Sequence, residues 1–185
     1  MFRYLIGYPK KDEKDKKIED NKKDNKELTK NYNLLKNINT DNVDYFSFKG
    51  KTFYAKPCNV YDGDTFSVVF DHKGELIKYR CRCFGYDTPE MRPSRKLENR
   101  DEIKKKAVEA KNYLKSLIMN ENQLVYLKCG KFGKFGRCLV KVFINKDDLE
   151  DKTKSVNKIL LNENLAYKYY GGTKNNDFTS YYKKN

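Results

Sequence analysis

The chain has 185 residues, 36% of them charged, and a formal net charge of +14. That length suits one domain of ordinary size with a tail, and no apolar run approaches the ~20 residues that span a bilayer. The apolar start, Met1 to Tyr8, is too short for a signal peptide and leads into a dense Lys/Asp/Glu segment, so the expectation is a soluble, intracellular protein that does not engage membranes.

The charge is unevenly placed. Residues 1–45 hold 11 basic and 9 acidic side chains, whereas residues 46–185 hold 29 basic against 17 acidic, a net of +12. A basic, aromatic-rich segment suits a polyanionic partner, because Lys and Arg neutralise phosphates and release counterions. A merely solvated basic surface would carry the same composition.

Residues from about 10 to 45 are Lys, Asn, Asp and Glu with few apolar positions, too few to offset the entropy of ordering. This reads as a disordered or partly helical tail over 1–44, with one short helix lined by Leu28, Leu34, Leu35 and Ile38. From residue 45 a domain begins. A first strand over 46–60 ends at the hairpin signal Asp62-Gly63. Thr65 to Phe70 is the return strand, Asp71 to Gly74 a second turn, and Leu76 to Tyr86 a third strand. A helix over 98–119 carries Ile103, Ala107, Ala110, Leu114 and Leu117 on one stripe, and Asn120 offers a stop. Strands near 123–129 and 137–144 flank a turn from Gly130 to Gly136, and a helix over 153–163 points Val156, Ile159 and Leu160 inward. Three strands, helix, two strands, helix is the order of an α+β fold: a five-stranded Greek-key oligonucleotide-binding (OB) barrel with two to three covering helices.

The five cysteines, Cys58, Cys81, Cys83, Cys129 and Cys138, include no CxxC pair. A zinc site through Cys81, Cys83, Cys129 and Cys138 would depart from ribbon and finger spacing, and free thiols packed in strands fit better.

Three clusters carry polar chemistry. Asp62-Gly63-Asp64-Thr65 is a hairpin turn, Asp87-Thr88-Pro89-Glu90 a strand exit, and Lys134-Phe135-Gly136-Arg137 a basic turn. Together they offer more. Two aspartates at strand ends with a loop carbonyl form an all-oxygen set for a hard divalent cation. A glutamate beside it can take a proton from water, and arginine forks meet phosphate oxygens in pairs. Arg82 and Asp87 lie five apart, so a regular strand would face them oppositely, and they share a site only if the chain bends at Gly85.

Val60-Tyr-Asp-Gly-Asp-Thr65, Arg82-Cys-Phe-Gly-Tyr-Asp-Thr-Pro-Glu90 and Lys134-Phe-Gly-Arg137, in this order and separation, resemble the three-part signature of the staphylococcal nuclease family. The stretch Leu165 to Lys174 is similar to the segment after that family's second helix, and the resemblance covers roughly residues 50–175. It implies a calcium-dependent nuclease that hydrolyses DNA and/or RNA with low sequence specificity and leaves 3′-phosphate ends. It also implies a role for each matching position. Asp64 and Asp87 would bind Ca2+ through carboxylates and Thr88 through its main-chain carbonyl, with Asp62 in the shell outside them. Glu90 would orient or deprotonate the attacking water, while Arg82 and Arg137 would hold the phosphate and stabilise its five-coordinate transition state. Lys134, Phe135 and Tyr170 would flank the nucleotide, and the chain would act as a monomer.

Three departures accompany the resemblance. No secretion signal is evident, Phe135 stands where a tyrosine is usual, and the helix after Asn176 is short. His72, the only histidine, falls in a turn and receives no role, and Arg80 does not hold the offset from Asp87 that Arg82 holds. A catalytically idle nucleic-acid or protein-binding module is the alternative, and a purely structural metal domain leaves the arginines unexplained.

Overall fold

Alternation of inward apolar and outward polar residues builds the barrel wall, as the period of a pleated strand requires. The computed structural model describes residues 13–119 and 124–172, so Asn120, the end of the 165–174 segment and the expected helix after Asn176 lie outside the described residues. The chain divides after Phe46 into two compact units.

In the first unit a single helix, α1 (Glu13–Lys36), runs for 24 residues, far longer than the short helix expected, and Ile38 lies beyond its end. Lys, Glu and Leu are strong helix formers, and opposite charges at helical spacing, such as Lys23 with Glu27 and Glu27 with Lys30, support it locally. Leu28, Leu34 and Leu35 on this helix are exposed. Asn39 then caps a short 3-10 turn, its side chain accepting from the Asp41 amide at 3.0 Å.

In the second unit β1 (Thr52–Val60), β2 (Thr65–His72) and β3 (Glu75–Cys83) form an antiparallel meander. The chain then makes a short strand, β4 (Gly85–Asp87), and the helix α2 (Arg100–Ile118). Next come β5 (Val125–Phe132), β6 (Cys138–Phe143), the helix α3 (Val156–Asn162) and a last short strand, β7 (Tyr167–Tyr169). Strands β1-β2-β3-β6-β5 close into a barrel, with β3 and β6 parallel, while β4 and β7 pair separately. This is the α+β OB-type barrel with helical cover.

Strand β2 runs on to His72, which pairs with Glu75 and so lies in the strand and not in the expected turn, β5 runs on to Phe132, past the expected turn start at Gly130, and α3 is shorter than the expected 153–163. Four further differences have identifiable reasons. Residues 46–51 are not strand, because Phe48 turns inward and accepts from the Lys51 amide at 3.0 Å. The third strand is two pieces, since Gly85 adopts φ +93° and redirects the chain. The stripe of α2 ends on Ile118 instead of Leu117, and α3 buries Val156, Asn157 and Leu160, leaving Ile159 half-buried. Strand β7 was not expected at all.

Val68, Val125, Leu127, Val140 and Val142 fill the barrel interior, and Leu114 and Ile118 of α2 and Val156 and Leu160 of α3 join the same core. Phe48 meets Phe53, Phe70, Tyr79 and Phe132 edge-on, with ring centroids 5.4–5.6 Å apart. His72 is part of this cluster, its ring 5.5 Å from that of Phe48. Cys81, Cys83, Cys129 and Cys138 are buried thiols and Cys58 is exposed. Burial holds the Cys83 thiol up at about 12. No helix among the described residues is long and apolar enough to cross a membrane.

Deleting residues 1–44 is expected to lower the thermal midpoint by no more than about 3 °C, the equivalent of ~0.5 kcal/mol. Calorimetry of full-length and truncated chains checks this, and loss of cooperative unfolding on truncation would make the tail part of the domain.

Candidate active site

The turn joining β1 to β2 is held from three sides. Asp62 Oδ1 accepts from the Asp64 amide at 3.1 Å, closing the turn locally. The buried Tyr86 hydroxyl donates to the Gly63 carbonyl at 2.9 Å. Gly63 itself touches its neighbours: a Cβ there would lie 2.8 Å from Thr88 Cγ2 and 2.9 Å from Ala110 Cβ. Only glycine lets the turn lie against both the 87–88 exit and helix α2. Asp64 is thereby carried into the wall with 2% of its surface exposed.

Outward alternation on β3 exposes Lys78 and Arg80 and leaves Arg82 half-buried, between inward Cys81 and Cys83. Arg80 therefore stands on the outer surface, and Arg82 is the arginine that reaches the carboxylates. Thr65 pairs with Arg82 across β2 and β3, and the break at Gly85 turns Asp87 back toward them. Arg82 Nη1 donates to Asp64 Oδ1 at 2.8 Å, and Nη2 lies 2.6 Å from Asp64 Oδ2 and also donates to Asp87 Oδ1. Asp87 is wholly buried, and its Oδ2 accepts from the Tyr167 hydroxyl. The hydroxyl of Thr65 donates to Asp64 Oδ1 at 2.6 Å, and Arg137 Nη1 donates to Thr65 Oγ1 at 3.1 Å. One continuous hydrogen-bonded chain thus joins both arginines and both aspartates.

Its electrostatics follow from burial. Desolvation, then the nearby Asp62 charge, push the Asp64 carboxyl well above the usual range, while Arg82 pulls it back. Burial alone would lower the Arg82 pKa, but the charges of Asp64 and Asp87 more than offset it and leave it raised. Burial, then its bond to Asp87, push the Tyr167 hydroxyl up, with the Glu90 charge adding to the effect.

Glu90 is half-buried at the start of the loop leading to α2. Thr88 is buried beside Gly63. Lys134 to Gly136 form a 3-10 turn in which Phe135 takes φ +61°, a left-handed conformation uncommon for a bulky residue. The Phe135 ring is 92% exposed, with the Arg137 guanidinium carbon 5.8 Å from its centroid. Tyr79 anchors this turn, its hydroxyl donating to the Gly136 carbonyl at 3.0 Å. Tyr170 is exposed and lies edge-on to Phe84, ring centroids 5.8 Å apart.

Asp64 and Asp87 converge on one guanidinium nitrogen, so their oxygens are close and of the hard donor type a calcium ion takes. Among the described residues no group of three or more His, Cys, Asp or Glu side chains is arranged to hold a metal. Two carboxylates gathered on one nitrogen are oxygen donors of the type that would suit a hard divalent cation.

Three residues of this construction went unread in the sequence. Tyr167 holds Asp87, Tyr86 holds the Gly63 turn, and Asn157 of α3 serves the strand break. Asn157 donates to the Phe84 and Val140 carbonyls at 2.9 and 3.0 Å and accepts from the Val142 amide at 2.9 Å. An asparagine among the inward residues of a short helix was the one available signal.

The fold and this cluster define an OB-type barrel protein with paired arginines and carboxylates on its wall. The model of the family described as staphylococcal nuclease homologue matches residues 80–184, more than half of the chain, and the chain belongs to that family. No curated protein matches it. The match begins at Arg80, so Asp62 and Asp64 enter the site through the geometry above and not through the matched segment.

Gly63→Ala is expected to lower stability by about 1–3 kcal/mol, because neither Thr88 nor α2 can retreat freely from the new methyl. A urea midpoint equal to wild type at unchanged m-value would show that the turn is not pinned there.

Proposed function

We propose that the chain is a calcium-dependent nuclease that hydrolyses phosphodiester bonds of DNA and/or RNA with low sequence specificity, leaving 3′-phosphate ends. The observation that carries this reading is the hydrogen-bonded chain Arg137–Thr65–Asp64–Arg82–Asp87 on the barrel wall. It gathers two cationic forks and two hard carboxylates within one patch, which is the equipment phosphodiester hydrolysis uses.

Asp64, Asp87 and the main-chain carbonyl of Thr88 would hold the calcium ion, which supplies Lewis-acid charge at the phosphate. Asp62 would act from outside these ligands by orienting Asp64 through the turn they share. Glu90 would take the proton of the attacking water and aim it at phosphorus. Arg82 and Arg137 would each present paired N–H groups to the phosphate oxygens, where negative charge grows as the fifth bond forms. Arg137 would also favour departure of the leaving oxygen. The exposed rings of Phe135 and Tyr170, with the Lys134 ammonium, would flank the nucleotide.

Glu90→Gln is expected to reduce turnover by ~10²–10⁴-fold while oligonucleotide binding survives. Wild-type turnover in that variant would remove Glu90 from the mechanism. A wild-type chain that binds nucleic acid but cleaves none, with any divalent cation, would favour the idle binding module instead.

Two carboxylates and one carbonyl are few ligands, and half-maximal activity is expected near 10⁻⁴–10⁻³ M free calcium. Magnesium, held in a tighter and more reluctantly dehydrated shell, is expected to support little turnover. Titrating activity against each free cation checks both statements. Half-activation below a micromolar, or equal rates with magnesium, would mean a different ligand set.

A further inference from the structure

The alternation that turns the arginines outward also shapes the wall beyond them. On β6 the outward positions after Arg137 are Leu139 and Lys141, separated by buried Cys138, Val140 and Val142, and each pair of residues advances about 6.6 Å. Arg82 is registered against Leu139 on the parallel β3. On β5 the outward positions alongside are Lys128 and Gly130. Gly130 presents no side chain, and a Cβ there would lie 3.2 Å from the Leu139 carbonyl oxygen. The strands therefore lie close together at Gly130, and no side chain from that position covers Leu139. A cavity of about 410 Å³ opens there, floored by Leu139 and Phe84 and rimmed by Lys49, Lys128, Lys131 and Lys141.

The charge here works against the fold. Lys128 stands directly opposite Lys141 in the antiparallel register, and like charges so placed are destabilising. Burial, then the Lys152 and Lys128 charges, push the Lys141 pKa down. Among the described residues one carboxylate, that of Glu150, is paired with this group, 2.8 Å from Lys128. A phosphate backbone would supply the missing negative charge, and the apolar floor would suit the flat faces that accompany it.

We propose that this groove holds the stretch of single-stranded nucleic acid running on from the scissile phosphate, with the lysines on its phosphates and Phe84 and Tyr170 against its bases. The proposal rests on the nuclease reading, since it extends the same substrate along the same face. The Phe84 ring of that floor, in edge contact with the exposed Tyr170 ring, favours unstacked bases over an acidic peptide, which has no flat face to offer. This ring pair favours a single strand over a duplex, whose bases remain stacked inside.

The test uses the full chain and the triple variant Lys49→Gln/Lys131→Gln/Lys141→Gln, with Lys49→Arg/Lys131→Arg/Lys141→Arg as the charge-preserving control. Binding of a labelled 12-nucleotide oligo-dT is measured by anisotropy in chelator across a salt series. Hydrolysis of a dinucleotide is measured separately with calcium. The expected result is at least a tenfold loss of 12-mer affinity in the Gln variant and a shallower salt slope, by about 2 for three phosphate contacts. Dinucleotide hydrolysis should be unchanged, and the Arg control should bind as wild type does. Equal 12-mer affinity and salt slope in wild type and the Gln variant would overturn the proposal. So would an equal loss for a glutamate-rich peptide of matched charge, which would make the groove a protein-docking surface. A wild-type chain that shows the 12-mer pattern but hydrolyses nothing would leave the groove standing and sink the nuclease reading alone.

Discussion

Two carboxylates buried in a barrel wall need a cation beside them, and most of the local architecture can be traced to that need. Asp64 is 2% exposed and Asp87 is not exposed at all, and an uncompensated charge at either position would cost several kcal/mol. Arg82 is the resident counter-charge, and its fork is shared between them. One positive charge does not balance two negatives. The remainder is distributed into neutral donors, the hydroxyls of Thr65 and Tyr167, while burial, then the Asp62 charge, leaves Asp64 harder to ionise than an ordinary aspartate. In the proposed reading, the calcium ion would meet this shortage of positive charge.

That requirement sets where β3 must end. An uninterrupted strand would carry Asp87 to the inside of the barrel when Arg82 is outside, so the chain has to break between them, and Gly85 at φ +93° is the residue that can. Breaking a strand exposes backbone groups, and each is answered. Phe84 donates to the Val140 carbonyl at 2.8 Å, and Asn157 meets the Phe84 carbonyl from α3. The residues beyond the break pair with β7, which places Tyr167 opposite Asp87. A side-chain amide in a helix and a three-residue strand are thus consequences of a charge placed 70 to 80 residues earlier.

This chain of dependence also explains what was legible in the sequence. The barrel strands and α2 were readable because local periodicity sets them: β2 and β3 alternate, and Ile103, Ala107, Ala110 and Leu114 recur at helical spacing. Asp64, Arg82, Asp87, Glu90 and Arg137 were nameable because they sit in short motifs whose order resembles a family. Tyr167, Tyr86 and Asn157 were not, since each acts on a partner 15 to 80 residues away and belongs to no local pattern. Helix α1 was underestimated for the opposite reason. Its stability comes from propensity and charge spacing instead of an apolar stripe, so a reading that looks for a buried face finds little there.

The two arginines are held with different firmness, and the difference follows from where the barrel places them. Arg82 lies near the end of β3 with its side chain 11% exposed and its fork already engaged. Arg137 follows the exposed turn at Lys134–Gly136, donating from Nη1 to Thr65 and, at 3.5 Å, from Nε to the Lys134 carbonyl, with the Phe135 ring beside it. The left-handed Phe135 holds a conformation that costs of order 1–3 kcal/mol, and the Tyr79 bond to Gly136 helps to retain it. The strain turns an apolar ring almost fully into solvent, where it adds nothing to the core. Both arginines, the exposed rings and the lysines of β5 and β6 share the outer face because period-two alternation sends Cys81, Cys83, Cys138 and Val140 inward. A barrel small enough to fill its interior with side chains has only its outer wall to offer a polymer. The polar chemistry and the basic groove are therefore neighbours by geometry: the core claims every second residue, and the alternate ones form a single surface.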